Sequence, residues 1–298
     1  MSFASQTKEE LCRGGLSKRC CAQAEAYGAL LYCNSFSAAG VRIVTESEAF
    51  AARLPALFQK AFKVRFDRCP AEGETGKLVF QLEDRDKLAV LFQTFGYDPR
   101  ESVAHHINFG VLEEDHCRSA FFRGAFLAGG AVTDPAKRYH LELVTSHYNV
   151  SREMTVLLQE AGFSPKETTR KSNYMTYFKQ SEAIEGFLIQ IGAPLAAMEL
   201  MNAKAEKALV GGVNRRVNCE AANLDKAVDA AMEQVMAIRT LEQRGMLAEL
   251  PEKLRTTAAL RVENPDLTLS QLAAICDPPV TKSCLNHRLR KLLELSRS

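Results

Sequence analysis

The chain has 298 residues, of which 46% are hydrophobic and 25% charged, so it is long enough for one to three globular domains with a real core. Its formal net charge is only +2, so any nucleic-acid contact must come from local clusters of Lys and Arg rather than from a generally basic protein. The sequence has no apolar run near the roughly 18 residues of a membrane span and no signal-peptide core, so we expect a cytoplasmic protein.

Cysteine usage argues against a disulfide framework. The nine cysteines are an odd number, and they include no CxxC pair and no Cys/His cluster at zinc-finger spacing. We interpret them as reduced thiols, mostly small core residues, and expect no cofactor.

Residues 17–96 and 113–192 carry two copies of one pattern. Cys21 with Gly28 seven residues on corresponds to Cys117 with Gly124 seven residues on. RIVTE then matches LELVTSH, and KLVFQL before LAVLFQTFG matches NYMTYFK before IEGFLIQIG. Because the matches keep their order, duplication is favoured over chance similarity between two α+β segments. Each copy predicts a helix, two strands, a helix, two strands and a helix.

The first helix of each copy resembles the LAGLIDADG helix of homing endonucleases. FFRGAFLAGGAV is the stronger match and EAYGALLYCNSF the weaker one. The resemblance implies that these helices pack side by side at a pseudo-two-fold axis and that the sheets form a saddle able to lie on a duplex. Small residues on both helices would permit a close approach of the backbones: Gly28, Ala29, Gly124, Ala125 and Ala128.

In those endonucleases, an acidic residue near the end of each helix holds a divalent metal. Alignment on the shared glycine puts Gly129 and Cys33 at these two places, and neither offers a hard oxygen ligand. Asp134 lies beyond the likely helix end and before Pro135, so we interpret it as a turn residue. We therefore predict no metal, no catalytic residue and no nuclease activity.

Other combinations of functional residue types give no enzyme signature. His105 and His106 adjoin in a predicted loop, and we interpret them as surface histidines rather than paired ligands. The sequence has no GxSxG elbow and no GxxxxGK[ST] loop. Hydrolase and nucleotide-binding functions are thus disfavoured.

Residues 193–213 predict a helical linker before an all-α domain at 214–298. Helix formers dominate from Pro194 to about Arg244, and we expect two helices with a break near Gly211 and Gly212. Arg215 and Arg216 lie in the polar run after that break. They could contact phosphate, or they could belong to a solvated or internally paired turn.

Three helices are predicted after Leu250, the last two forming a helix-turn-helix at about 267–298. Thr268 and Gln271 have the spacing of a capping box, and Thr281 is a candidate N-cap. In the last helix Leu285, Leu289, Leu292 and Leu293 form one apolar stripe. Residues 281–298 carry five cations and one anion, a local charge of +4.

Such a helix would read DNA from its N-terminal residues. We predict that base edges are contacted by Thr281, Lys282, Ser283, Asn286 and His287, and phosphates by Arg288, Arg290 and Lys291. The alternative is an amphipathic terminal helix whose basic face is merely solvated. The two preceding helices favour the DNA-binding interpretation.

The segments RGAFLAGGAV, YHLELVTSH, NRRVNCEAANLDK and TKSCLNHRLRKL together resemble the WhiA family of bacterial regulators over essentially the whole chain. Ala131 and Cys284 depart from the family, which tends to have Ser and Gly there. Membership implies a catalytically silent LAGLIDADG-like domain and transcriptional control of cell division, chromosome segregation or sporulation. It also implies nucleoid association, promoter DNA as partner, and a further transcription or division protein bound through the LAGLIDADG-like domain.

The resulting fold class is α+β: a duplicated αββαββα LAGLIDADG-like domain at 1–192, followed by an all-α helix-turn-helix domain. We expect a sequence-specific transcription regulator with neither a membrane nor a small-molecule substrate as partner. A division-associated protein scaffold with incidental DNA affinity is one alternative, and an active homing-type endonuclease is another.

Overall fold

The computed structural model describes residues 2–16, 18–97 and 105–298, so Ser17, where the predicted first copy begins, lies outside it. The chain forms two compact units, the first ending at Lys207 and the second covering Ala208–Ser298. A helix that the sequence did not predict, α1 (Phe3–Arg13), begins the first unit.

The two copies follow α1 in chain order. The first contains α2 (Arg19–Leu31), β1 (Ser35–Ser37), β2 (Gly40–Thr45), α3 (Glu48–Phe62), β3 (Leu78–Leu82) and α4 (Arg85–Thr94). The second contains α5 (Asp115–Gly129), β4 (Gly130–Val132), β5 (Leu141–Thr145), α6 (Tyr148–Glu160), β6 (Lys166–Arg170), β7 (Asn173–Phe178) and α7 (Ser181–Ile191). The duplicated α+β fold is confirmed.

The copies differ by one strand. Among the described residues, the second sheet has the order β4-β5-β7-β6 and the first has the order β1-β2-β3, and all neighbouring strands are antiparallel. Where the first copy should have its third strand, a single bridge joins Arg68 to Gln81. The prediction of two strands there was wrong, because the segment CPAEGETG before β3 is rich in residues that favour turns.

Helices α2 and α5 pack against each other along their small residues, as the LAGLIDADG resemblance implied. A Cβ atom on Gly28 would lie 2.1 Å from the carbonyl oxygen of Phe121, and one on Gly124 would lie 1.9 Å from that of Glu25. Real Cβ atoms do not tolerate such distances, so only glycine permits this approach. Both helices are therefore buried in the core of the first unit.

Aromatic side chains fill the space between these helices and the remaining elements. Phe50, Phe58, Phe92, Phe121 and Phe187 are among the fully buried ones. On the strands, buried residues alternate with more exposed ones, as in β3 and β5. This period of two places one face of each sheet on the core.

A buried ion cluster lies beside the helix pair. The Glu25 carboxylate, 1% exposed, accepts hydrogen bonds from Arg53 at 2.6 and 3.0 Å and from Arg123 at 2.9 Å. Since Glu25 lies on α2, Arg53 on α3 and Arg123 on α5, the cluster fixes three helices of both copies to each other. Desolvated charges at this depth are tolerated only when paired in this way.

The predicted break in the helical connection is absent. Residues Pro194–Gln243 form one helix of 50 residues, α8, and Gly211 and Gly212 lie inside it. An interior glycine costs only about 1 kcal/mol relative to alanine, which the surrounding helix formers offset. The Glu10 carboxylate accepts hydrogen bonds from the backbone N–H groups of Leu195 and Ala196 at the start of α8.

After α8 the second unit contains α9 (Glu252–Glu263), α10 (Leu269–Ala274) and α11 (Lys282–Arg297). Its small core joins the end of α8 to all three: Ile238, Leu241, Ala258, Leu272, Ala273, Cys276, Leu285, Leu289 and Leu292. No helix in the described part of the chain is long and apolar enough to cross a membrane.

Two expectations about side-chain placement are corrected. Only Cys117 and Cys276 are buried, while Cys20, Cys69, Cys219 and Cys284 are exposed and the other three are intermediate, so the cysteines are not mostly core residues. His105 is buried, stacks on Phe36 at 4.8 Å between ring centroids and bonds its carbonyl oxygen, so it is not a surface histidine. His106 is exposed and pairs with Glu153 at 2.7 Å.

Candidate nucleic-acid interface

The start of α11 is fixed by caps that the sequence predicted. The Thr281 side chain accepts a hydrogen bond from the Cys284 backbone N–H at 3.2 Å, and Thr268 and Gln271 form a complete capping box at α10. The Val280 N–H donates to the Ala273 carbonyl oxygen at 3.1 Å, which ties α10 to the residue before the cap. The seven residues between the helices exceed the usual turn of about three to four residues.

The apolar stripe of α11 faces the core of the second unit. Leu285, Leu289 and Leu292 are buried, with contacts from α11 to α9 and α10, and Leu293 is half-buried. The opposite side of the helix is exposed at Lys282, Ser283, His287, Arg290 and Lys291. Asn286 and Arg288 are half-buried between the two sides.

Two of the five cations near the C-terminus have acidic partners. Lys291 lies 3.6 Å from Glu294 one turn on, and Arg297 lies 2.6 Å from Glu233 of α8. Lys282, Arg288 and Arg290 form no salt bridge with any residue that the structure describes. These three cations therefore keep their full charge for an outside anion.

Arg261 supports the domain that carries the interface, and it was not among the predicted site residues. Its guanidinium is buried, bonds the Gln234 side chain at 2.9 Å and donates to the carbonyl oxygens of Asn264, Pro265 and Leu267. It thereby holds the loop between α9 and α10 to α8. Its spacing could have indicated its burial, because Arg261 lies three residues after Ala258 and therefore on the same face of α9.

Arg215 and Arg216 are exposed in the middle of α8, rather than in a turn. At about 1.5 Å per residue, Arg216 lies roughly 38 Å along the helix axis from Leu241, where α8 enters the core of the second unit. The structure thus does not bring these two arginines to the start of α11.

The first unit has no acidic side chain at the two aligned metal positions. A Cβ atom on Gly129 would lie 2.5 Å from the Val144 carbonyl oxygen, so no larger residue fits there without a backbone shift. The Cys33 thiol donates to the carbonyl oxygens of Leu30 and Ser35, and burial raises its pKa to about 12. It is therefore a neutral thiol.

A cation lies next to this place. The ammonium of Lys8 on α1 donates to the Leu127 carbonyl oxygen at 3.0 Å, near the end of α5. Burial lowers the pKa of Lys8 to about 8. Asp134 instead shapes a turn, since its carboxylate accepts from the Ala136 N–H at 2.8 Å.

The fold and the exposed basic helix define a LAGLIDADG-like protein that carries a helix-turn-helix domain. Residues 118–209 match the WhiA LAGLIDADG-like domain, and residues 213–296 match the WhiA C-terminal HTH domain. The chain belongs to the WhiA family.

Curated relatives match along the whole chain. "Probable cell division protein WhiA" of Heliobacterium modesticaldum is 36% identical, with 99% of this chain and 96% of that protein covered. The protein of the same name from Ruminiclostridium cellulolyticum is 35% identical, with 99% and 97% covered. The crystal structure of full-length WhiA from Thermotoga maritima has the same fold, with a TM-score of 0.61, 23% identity and coverage of 100% and 98%.

Proposed function

We propose that this protein is a sequence-specific regulator of transcription that binds double-stranded promoter DNA and has no nuclease activity. The supporting observation is the start of α11, where exposed polar and cationic side chains face away from a helix side that forms the domain core. The names of the relatives support a link of this regulation to cell division. Chromosome segregation and sporulation are further roles that we propose from the family resemblance of the sequence alone.

In the proposed complex, α11 enters the major groove with its N-terminal turns. Lys282, Ser283, Asn286 and His287 then contact base edges, and the Thr281 hydroxyl hydrogen is free to donate because its oxygen serves as the cap acceptor. The guanidinium groups of Arg288 and Arg290 bind phosphates, together with Lys291. Arg215 and Arg216 could reach only phosphates of DNA that extends along α8.

The absence of cleavage is proposed from the chemistry of the aligned metal positions. Hydrolysis of a phosphodiester by such a site needs carboxylates that hold a divalent metal. Gly129 and Cys33 provide none, and Lys8 places a positive charge close to the end of α5.

We further infer that the protein acts at the nucleoid, and that a second transcription or division protein binds the LAGLIDADG-like domain.

The test is fluorescence anisotropy of the full chain with a pool of promoter fragments and with random duplex, at two salt concentrations. We expect preference for certain promoter fragments and weaker binding at high salt. Because Arg288 and Arg290 are assigned to phosphates, substitution of both by Ala should lower the affinity for all fragments and for random duplex alike. Arg85→Ala, which removes an exposed cation from α4, should leave it unchanged.

Equal affinity for all fragments, or wild-type cellular function of the Arg288/Arg290 double variant, would instead favour the scaffold. A parallel incubation of supercoiled plasmid with the protein and Mg²⁺ or Mn²⁺ tests the second part of the proposal. We expect the plasmid to stay intact. Nicking that depends on the protein would instead support the alternative that it is an active endonuclease.

A further inference from the structure

Four metal-ligating side chains meet where the two central helices begin. Cys20 and Cys21 lie in the first turn of α2, and His116 and Cys117 lie in the first turn of α5. The pairs are related by the offset of 96 residues that also relates Gly28 to Gly124. Each copy of the duplication thus supplies two neighbouring residues, and the helix packing brings all four together.

We propose that Cys20, Cys21, His116 and Cys117 bind one zinc ion. The composition is three thiols and one imidazole, a common ligand set of closed structural zinc sites. The sequence could not indicate it, because no two of the cysteines have the CxxC spacing and the pairs are almost 100 residues apart. It departs from our expectation of a protein without metal.

The distances fit a tetrahedral site after small rotations of the side chains. One ligand atom from each of the four residues lies within 4.8 Å of the others. The His116 Nδ1 atom lies 3.5 Å from the Cys21 sulfur and 3.2 Å from the Cys117 sulfur. With Zn–S near 2.3 Å and Zn–N near 2.0 Å, a tetrahedral ion needs ligand separations of about 3.5–3.8 Å.

Burial at the cluster leaves a path for the ion. Cys117 is buried and Cys21 half-buried, while Cys20 and His116 are exposed. A small cleft lined by Cys21, Glu25, His116 and Arg123 opens beside them. The buried thiol anchors one side of the site, and the exposed ligands can close over a metal that arrives from solvent.

The local charges also favour a zinc–thiolate centre. Zinc with three thiolates and a neutral imidazole carries one net negative charge. Both pairs lie at helix N-termini, where the helix dipole favours negative charge, and Arg123 lines the adjoining cleft. A metal here acts as a structural link between the two copies, since four protein ligands leave no open position for a substrate.

This site is distinct from the metal positions of the LAGLIDADG endonucleases. Those correspond to Gly129 and Cys33, at or just beyond the C-terminal ends of α5 and α2. Cys117 precedes Gly129 by 12 residues, which is about 18 Å along the helix. The proposed ion therefore lies at the opposite end of the helix pair.

The experiment is metal analysis of the full chain, prepared without a polyhistidine tag and kept under reductant. We expect about one zinc per chain by plasma mass spectrometry, as a four-ligand site requires. The Cys20→Ser, His116→Ala double variant should lose the zinc, and Cys219→Ser, which changes an exposed cysteine on α8, should keep it. Replacement by cobalt(II) should give thiolate charge-transfer bands and intense tetrahedral ligand-field bands.

Circular dichroism shows whether the double variant remains folded. If it does not, the single variant Cys20→Ser decides, because this side chain is exposed, and we expect its zinc affinity to fall about tenfold or more. The proposal is overturned if the wild type holds no zinc after incubation with the metal. It is also overturned if the folded Cys20→Ser, His116→Ala variant, or Cys20→Ser where the double variant is unfolded, binds zinc as the wild type does. A disulfide between Cys21 and Cys117 in protein from a reducing cytoplasm would overturn it too.

Discussion

At the residue scale, the start of α11 separates two kinds of DNA contact. Asn286 has an amide that can pair with a base edge, and Arg290 is exposed and has no acidic partner among the described residues. Base contacts determine sequence preference, while phosphate contacts determine overall affinity and its salt dependence. The two residues should thus differ in the kind of loss they cause.

We predict that Asn286→Ala relaxes the preference at one base position, with a cost of about 1–3 kcal/mol on the specific site only. Arg290→Ala should weaken binding to specific and random DNA alike and reduce the salt slope by about one unit. Anisotropy titrations at several salt concentrations measure both. An equal loss on both DNAs for Asn286→Ala would contradict its role as a base contact.

Some individual residue roles were predictable from the sequence, and others were not. The caps Thr268 and Thr281 were predictable because capping depends on neighbours within four residues. The Cys/His cluster was not, because its two pairs of ligands are distant in sequence. The bond between buried Arg261 and Gln234 was not either, since the two residues are 27 positions apart. Composition indicates which side chains can bind, but only packing determines which ones meet.

At the element scale, the close packing of α2 on α5 gives a sharp prediction. Gly124→Ala places a methyl carbon 1.9 Å from the Glu25 carbonyl oxygen, so the helices must separate and the buried cluster of Glu25, Arg53 and Arg123 must loosen. We expect unfolding free energy to fall by about 1–3 kcal/mol or more, the cost of forcing an extra carbon into a closely packed core.

Gly212→Ala is the matched control. This glycine lies inside α8, and a Cβ atom on it meets nothing within 4 Å in the described structure. We expect it to stabilise α8 by about 0.5–1 kcal/mol through helix propensity. Denaturant titrations followed by circular dichroism measure both variants, and a Gly124→Ala protein as stable as the wild type would refute the packing argument.

Elements were predicted best where periodicity was strong. The order of helices and strands in the second copy followed from alternation and glycine stops, and the structure has it. The first copy has one strand fewer than predicted, because tertiary context outweighs a weak strand propensity. Helix α8 continues through Gly211 and Gly212, because the helix formers on both sides outweigh the low helix propensity of glycine. Helix α1 lies before the first copy of the duplication, so no second copy supported it in the sequence.

At the scale of the whole molecule, acid should destabilise the first unit. Burial lowers the pKa of His105 below its usual range, and burial together with nearby His105 lowers that of His147 to about 4. The two rings lie 4.7 Å apart, so protonation of both would also place two charges side by side. In the unfolded chain each histidine takes up its proton near pH 6.5.

The unfolded state therefore binds more protons than the folded state below about pH 6.5, and stability falls as the pH drops from there toward 4. Above about pH 6.5, the stability that these two histidines contribute is fully present. We expect the melting temperature of the wild type to fall between about pH 7 and pH 5, and to fall less in His147→Gln. His287→Gln, an exposed change on α11, should follow the wild type, and identical slopes for all three would contradict the assignment.

The close approach at Gly129 also restricts how the chain can evolve. A single nucleotide change converts any glycine codon to an aspartate or a glutamate codon, so an acidic residue at this position is always one mutation away. The Val144 carbonyl oxygen leaves no space for its Cβ atom, so the mutant must distort the junction of α5 and β5 before any ligand is formed. A variant with an acidic residue here would lose fold stability before it gained a metal ligand, so such a ligand is hard to acquire at this position.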